Sequence, residues 1–311
     1  IYWETIRTHG NNPDMVTITD VFSALPAIYA RDGDAGNEEL LTRLERLKSG
    51  AAVAGELVMA ARAGWAKSLV MKKVSDLAGR TELLSIAKWV DPKLSRPAIS
   101  VSVAEALLEA GNPLTAKELF TNIRKWNPRC VEKARIYRGL GDIALVEKNS
   151  QKALEYYAMY EREAVQTVAL GGVKFRKAEI YASLGQKAKA RAELESVLET
   201  PGVTAEAKAD ALMEIGELLV GDGEHEKAIV YFERVYVAYG KFGEVNARAY
   251  WERGQSLEAL DLKKEALETY EELVARDDLS RFNEVALAEE KVTKLRRLFP
   301  PELIEIEEEA F

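Results

Sequence analysis

At 311 residues the chain is long enough for two globular domains, and with 47% apolar residues and nine prolines it is not a disordered polymer. The net charge of −8 has the wrong sign for a nucleic-acid backbone, which is bound by lysines and arginines that displace counterions, so no nucleic-acid partner is expected. The strongest apolar run, residues 50–63, already contains Glu56 and Arg62, so no segment is expected to span a membrane.

The chain opens at Ile1 without an initiator Met and reads as a mature or trimmed form. Residues 1–16 carry little periodicity. Thr19 or Asp20 is placed to cap a helix over 21–31. The stretch 31–37, Arg-Asp-Gly-Asp-Ala-Gly-Asn, has the look of a calcium loop and fails as one. Gly36 stands at the fifth ligand position, Asn37 where glycine is required, and Arg43 where the twelfth ligand would be. Asn37 can cap a helix over 38–48, which Ser49-Gly50 should break. Helices are then expected over 51–63, 65–77 and 81–90. Trp89-Val90-Asp91-Pro92 closes this region much as Trp126-Asn127-Pro128 closes the next.

From residue 97 onward one pattern recurs. An alanine followed four residues later by an aromatic or Leu appears as Ala116/Phe120, Ala153/Tyr157, Ala190/Leu194, Ala228/Phe232 and Ala266/Tyr270, with 37, 37, 38 and 38 residues between successive alanines. Twelve residues before each alanine stands another small residue: Ala104, Gly141, Ala178, Gly216 and Gly254. Between the two small positions a turn is marked by Gly111, Gly185 and Gly223, and by Lys148 and Asp261 in the other copies. Small residues at matched sites let neighbouring helices approach closely, and the aromatics fill the space beside them. First helices are expected over 97–110, 134–147, 171–184, 206–221 and 244–260. Second helices are expected over 113–126, 150–163, 187–199, 225–238 and 263–276, joined by short turns into antiparallel hairpins. A helix over 282–298 follows, stopped by Phe299-Pro300-Pro301, then an acidic tail over 302–309. The resulting division is an N-terminal helical cap with a degenerate repeat (1–96), five repeats (97–280), and a C-terminal capping helix with its tail (281–311).

The run Tyr137-x-x-Leu140-Gly141-x-x-Ala144, with Ala153-x-x-x-Tyr157, resembles the tetratricopeptide signature, and its recurrence makes residues 97–280 similar to five tetratricopeptide repeats. The copies exceed the usual period of about 34 residues, and the extra length is assigned to the end of the second helix and the loop after it. Residues 207–294 are also similar to the longer repeats of bacterial envelope proteins, such as the Tol-Pal coordinating protein and the outer-membrane assembly lipoproteins. Those proteins often close each repeat with a proline, and here only Pro128 stands in that place. The resemblance implies an all-α fold, an α-α superhelix of antiparallel helix pairs, and favours the bacterial envelope as compartment.

It also implies a concave groove lined by the first helices. Carried onto this sequence, the groove positions are Arg135, Arg138 and Asp142 in one repeat, and Phe175, Arg176 and Glu179 in the next. Met213, Glu217, Arg248, Trp251 and Gln255 follow. Phe175, Met213 and Trp251 would form an apolar stripe, flanked by arginines suited to an acidic, apolar-anchored peptide or helix. The family's clamp for a C-terminal dicarboxylate is excluded. Its positions carry Ser102, Glu105, Gly139, Asp142, Arg176 and Glu179 instead of asparagines beside Lys and Arg.

No catalytic or metal constellation is expected. His9 and His225 lie on different units, Cys130 has no local base, and Gly171-Gly172 reads as a repeat junction without a phosphate-loop lysine. The expectation is a non-catalytic, monomeric scaffold without cofactor that binds another protein or peptide. The alternative is a recognition or regulatory module of a larger enzyme or transport complex, or of a longer multidomain chain.

Overall fold

A computed structural model describes residues 34–164 and 169–299. Among the described residues there are fourteen α-helices, two short 3₁₀ turns and no strand, so the fold is all-α. The described helices fall into two compact units, divided between Glu163 and Ala164. The first holds α1 (Asp34–Val53), α2 (Leu57–Lys72), α3 (Asp76–Ile86), α4 (Pro97–Glu109), α5 (Pro113–Trp126), α6 (Lys133–Val146) and α7 (Ser150–Glu163). The second holds α8 (Ala169–Ser183), α9 (Lys187–Glu199), α10 (Ala205–Val220), α11 (His225–Ala238), α12 (Gly243–Ala259), α13 (Lys263–Val274) and α14 (Asn283–Leu295). Within each unit, consecutive helices pack on one another, and α12 also packs on α14. The readings made for residues 1–33 and for the acidic tail lie outside the described residues.

The helix pairs α4/α5, α6/α7, α8/α9, α10/α11 and α12/α13 follow the sequence period. Pro97 and Pro113 open α4 and α5 at first-turn positions, where a missing N–H costs nothing. The Thr204 hydroxyl accepts from the Ala207 N–H at the start of α10, and the Ser75 hydroxyl from the Ala78 N–H at the start of α3. The repeated alanines Ala116, Ala153, Ala190, Ala228 and Ala266 are all 0% exposed, and their partners Phe120, Tyr157, Leu194, Phe232 and Tyr270 are at most 1% exposed. Where the small residue is glycine, an aromatic ring lies against it. A Cβ on Gly216 would stand 2.3 Å from the Phe232 ring, and one on Gly254 2.3 Å from the Tyr270 ring. Two of the buried aromatics keep their hydroxyls satisfied, Tyr157 donating to Asp142 and Tyr270 to Glu258, each at 2.7 Å.

All five intra-pair turns share one backbone solution. Gly111, Gly185 and Gly223 have φ of 79°, 72° and 75°, and Lys148 and Asp261 take φ of 57° and 61° at the same place. The residue after each turn donates back to the carbonyl five residues earlier, as Asn149 does to Ala144 and Glu224 to Leu219, closing a Schellman motif. A lysine in the left-handed region carries strain that glycine does not. Lys148 is exposed. Lys148→Gly should therefore raise stability by about 0.5–1 kcal/mol, read as a shifted urea midpoint with unchanged m.

The structure differs from the sequence reading ahead of residue 97. α1 begins at Asp34, so residues 34–37 belong to a helix rather than a loop, and Asn37 is not its cap. Ser49-Gly50 does not break it. The helix runs on to Val53 and turns at Gly55, because Leu40, Leu44 and Ala51 on its buried face hold it against α2 and outweigh the modest cost of one glycine. The break expected near residue 64 is also absent. Gly64 sits inside α2, where a Cβ would meet Ile86 Cγ2 at 2.3 Å, so this glycine serves helix packing. Gly171-Gly172 likewise lies within α8, and a Cβ on Gly171 would stand 3.1 Å from Val203. An ion network ties α1, α2 and α3 together. Buried Glu82 accepts from Lys48 and Lys67, each at 2.8 Å, and Lys67 also reaches Glu45 at 2.6 Å.

Candidate functional site

In the second unit, the first helices of three successive pairs, α8, α10 and α12, bound an open cavity of about 620 Å³. On α8 its lining is Phe175, Ala178, Glu179 and Ala182. On α10 it is Asp210, Met213, Glu214, Glu217 and Leu218. Both sets recur at three- and four-residue steps, which places each on one helical face. Leu194 of α9 and Arg248 of α12 complete the wall. Ala178, Leu194 and Met213 are at most 2% exposed and make an apolar floor, while Glu179 and Arg248 stand exposed at the rim.

The rim is acidic. Four carboxylates face one guanidinium, and Arg248 Nη2 is already engaged at 2.5 Å by Glu217 Oε1. Glu214 is pushed up to about 7, first by burial, then by the negative charges of Glu179, Glu217 and Asp210, with Arg248 only partly offsetting them. Asp210 is also raised, by burial and by Glu206 and Glu244 against the pull of Arg248. Glu252 on α12 is raised by burial and by Glu217 and Glu284, again against Arg248. Among the described residues no group of three His, Cys, Asp or Glu side chains is arranged to ligate one metal ion.

Of the positions expected to line a groove, the cavity brings together Phe175, Glu179, Met213, Glu217 and Arg248. Met213 forms floor rather than stripe. Trp251 lies against the core around α13, its ring 5.5 Å from that of Tyr270. Arg176 and Gln255 are exposed outside the lining. Arg135, Arg138 and Asp142 belong to the first unit. There Arg135 reaches Glu105 at 2.5 Å and Ser102 at 3.2 Å, Arg138 reaches Glu105 at 3.0 Å, and Asp142 accepts from the Tyr157 hydroxyl. Arg135, Arg138 and Arg248, expected to meet a partner's carboxylates, thus meet carboxylates of their own chain. The acidic, apolar-anchored partner inferred from them does not match the charge of this cavity. The sequence reading missed Asp210 and Glu214. Their signal was an acidic i, i+4, i+7 series, Asp210, Glu214 and Glu217, on a first helix, a pattern that resembles an ordinary solvated helix face.

No helix among the described residues is long and apolar enough to cross a membrane. No curated protein matches the sequence. Profiles described as tetratricopeptide repeat match residues 104–165 and 175–241, and a further one matches 247–278. Among solved structures, the chain is similar to a STAND signal-transduction ATPase with a tetratricopeptide repeat sensor from Pyrococcus horikoshii. That match has a TM-score of 0.61 at 14% identity and covers 96% of this chain and 50% of that one. The C-terminal part of a repeat-containing protein from Cytophaga hutchinsonii matches with a TM-score of 0.58 at 11% identity, over 88% of this chain and 99% of that one. YrrB, described as a TPR protein with an unusual peptide-binding site, matches with a TM-score of 0.47 at 17% identity, over 68% of this chain and 97% of that one. With its buried small-residue and aromatic positions, its left-handed intra-pair turns and these profile matches, the chain belongs to the tetratricopeptide repeat family.

Proposed function

We propose that the chain is a non-catalytic protein-interaction module whose second unit holds a peptide or helix of a partner in the cavity between α8, α10 and α12. The carrying observation is the cavity itself. It is open to solvent and floored by Ala178, Leu194 and Met213, with Phe175 at its side, half-buried Asp210 and Glu214 in its wall and exposed Glu179 and Arg248 at its edge. Apolar floors with a few polar groups at the margin fix both affinity and orientation of a bound segment.

Phe175 is partly buried at the cavity wall and packs against the core of the second unit, so truncating it removes contact area from the cavity and some core packing with it. Phe175→Ala should weaken a selected peptide ligand by about 1–2 kcal/mol, roughly tenfold, at a temperature where circular dichroism shows the helices intact, with a lowered Tm from the lost packing. Ala182→Trp, which fills the cavity from α8, should abolish binding of the same ligand. Ligands indifferent to both substitutions would place the interaction elsewhere on the chain.

A further inference from the structure

We infer that the segment accepted by this cavity is cationic: a lysine or arginine side chain enters beside Glu179, Asp210 and Glu214, with an apolar neighbour seated on the Met213 floor. The inference rests on the groove reading and gives its occupant a charge. Three observations carry it. The cavity is large enough for one long side chain and part of another, at about 620 Å³. The cation in its lining, Arg248, is paired with Glu217 and only partly offsets Asp210 and Glu214, and none of the other three carboxylates forms an ion pair among the described residues. Those three come from two different helices and converge on the same opening, above an apolar floor. A guanidinium or ammonium group placed there gains charge-assisted hydrogen bonds and relieves the repulsion among the carboxylates, whereas an acidic side chain would add to it. Long basic side chains also lay an apolar stem along such a floor while their charged head stays at the rim.

The test is selection of a random peptide library on the full chain, followed by affinity measurements on the enriched peptides. Enrichment of Lys or Arg beside an apolar residue is expected. The combined substitution Asp210→Asn and Glu214→Gln should weaken these peptides about tenfold or more, with Tm unchanged or raised. A structural role for the two carboxylates predicts a lower Tm instead, so the two readings separate. Peptides that lose binding on Phe175→Ala and Ala182→Trp but are neutral or acidic, and indifferent to the charge substitutions, would overturn the cationic occupant and leave the groove standing. Peptides indifferent to all four substitutions, or no enrichment at all, would overturn the groove and the cation together.

Discussion

Gly216→Ala should destabilise the second unit by about 2 kcal/mol, as overpacking does when the neighbour cannot retreat. The added methyl would lie 2.3 Å from Phe232 Cε1 and 2.7 Å from Cζ, and Phe232 is 0% exposed, so the ring has no space to move into. The chain supplies its own rescue. In the α8/α9 pair the corresponding residues are Ala178 and Leu194, a larger small residue against a smaller large one. Phe232→Leu alone should cost about 1–2 kcal/mol through the cavity it leaves. The double substitution recreates the α8/α9 pairing and should be more stable than the sum of the two singles by about 1 kcal/mol or more. Chemical denaturation of the four proteins completes the cycle. Strict additivity would show that the glycine is not dictated by the ring.

The same residues explain what was legible in the sequence. The repeat was readable because the packing constraint acts at fixed intervals. Five alanines and their partners must be buried, and no other residue classes satisfy the close approach at Gly141, Gly216 and Gly254. Even Lys148 and Asp261 were placed correctly, because register assigns a turn when composition does not. Glycine away from the repeat was ambiguous for the opposite reason. Gly50 and Gly64 look like breakers, yet both lie inside helices, and only the position of Ile86 reveals why Gly64 must be small. The cavity was half legible. Family positions led to Phe175, Glu179, Met213, Glu217 and Arg248, but not to the sign of the field. Charge at the cavity depends on which carboxylates from α8 and α10 converge and on which cation is already taken. Neither is visible while Glu217 and Arg248 are simply 31 residues apart. Arg135 and Arg138 misled because Glu105, their partner, lies on the preceding first helix.

Glu214→Gln should stabilise the empty protein at pH 8 and have almost no effect at pH 4. In the folded chain the Glu214 carboxyl titrates at about 7 against an ordinary 4.5, so the folded state binds the proton more tightly than the unfolded state does. Stability therefore falls as pH rises from about 4.5 through about 7, and the loss is complete above that. With a carboxyl that remains partly exposed, the screened cost is about 1–2 kcal/mol, and removing the charge recovers it. Glu45 in the first unit runs the other way. Burial raises it, but hydrogen bonds from Lys48, Lys67 and Ser49 prevail and hold it at about 2, so its contribution is present above the ordinary 4.5 and is lost on acidification toward 2. Carboxyl carbon NMR resolves the two titrations separately. A Glu214 midpoint near 4.5 would show that the four carboxylates do not share one poorly solvated space. A midpoint near 7 that drops when a cationic peptide binds would tie the proton to the ligand. A cation stabilises the carboxylate, the proton leaves, and affinity for such a peptide must then rise as pH increases across the same interval.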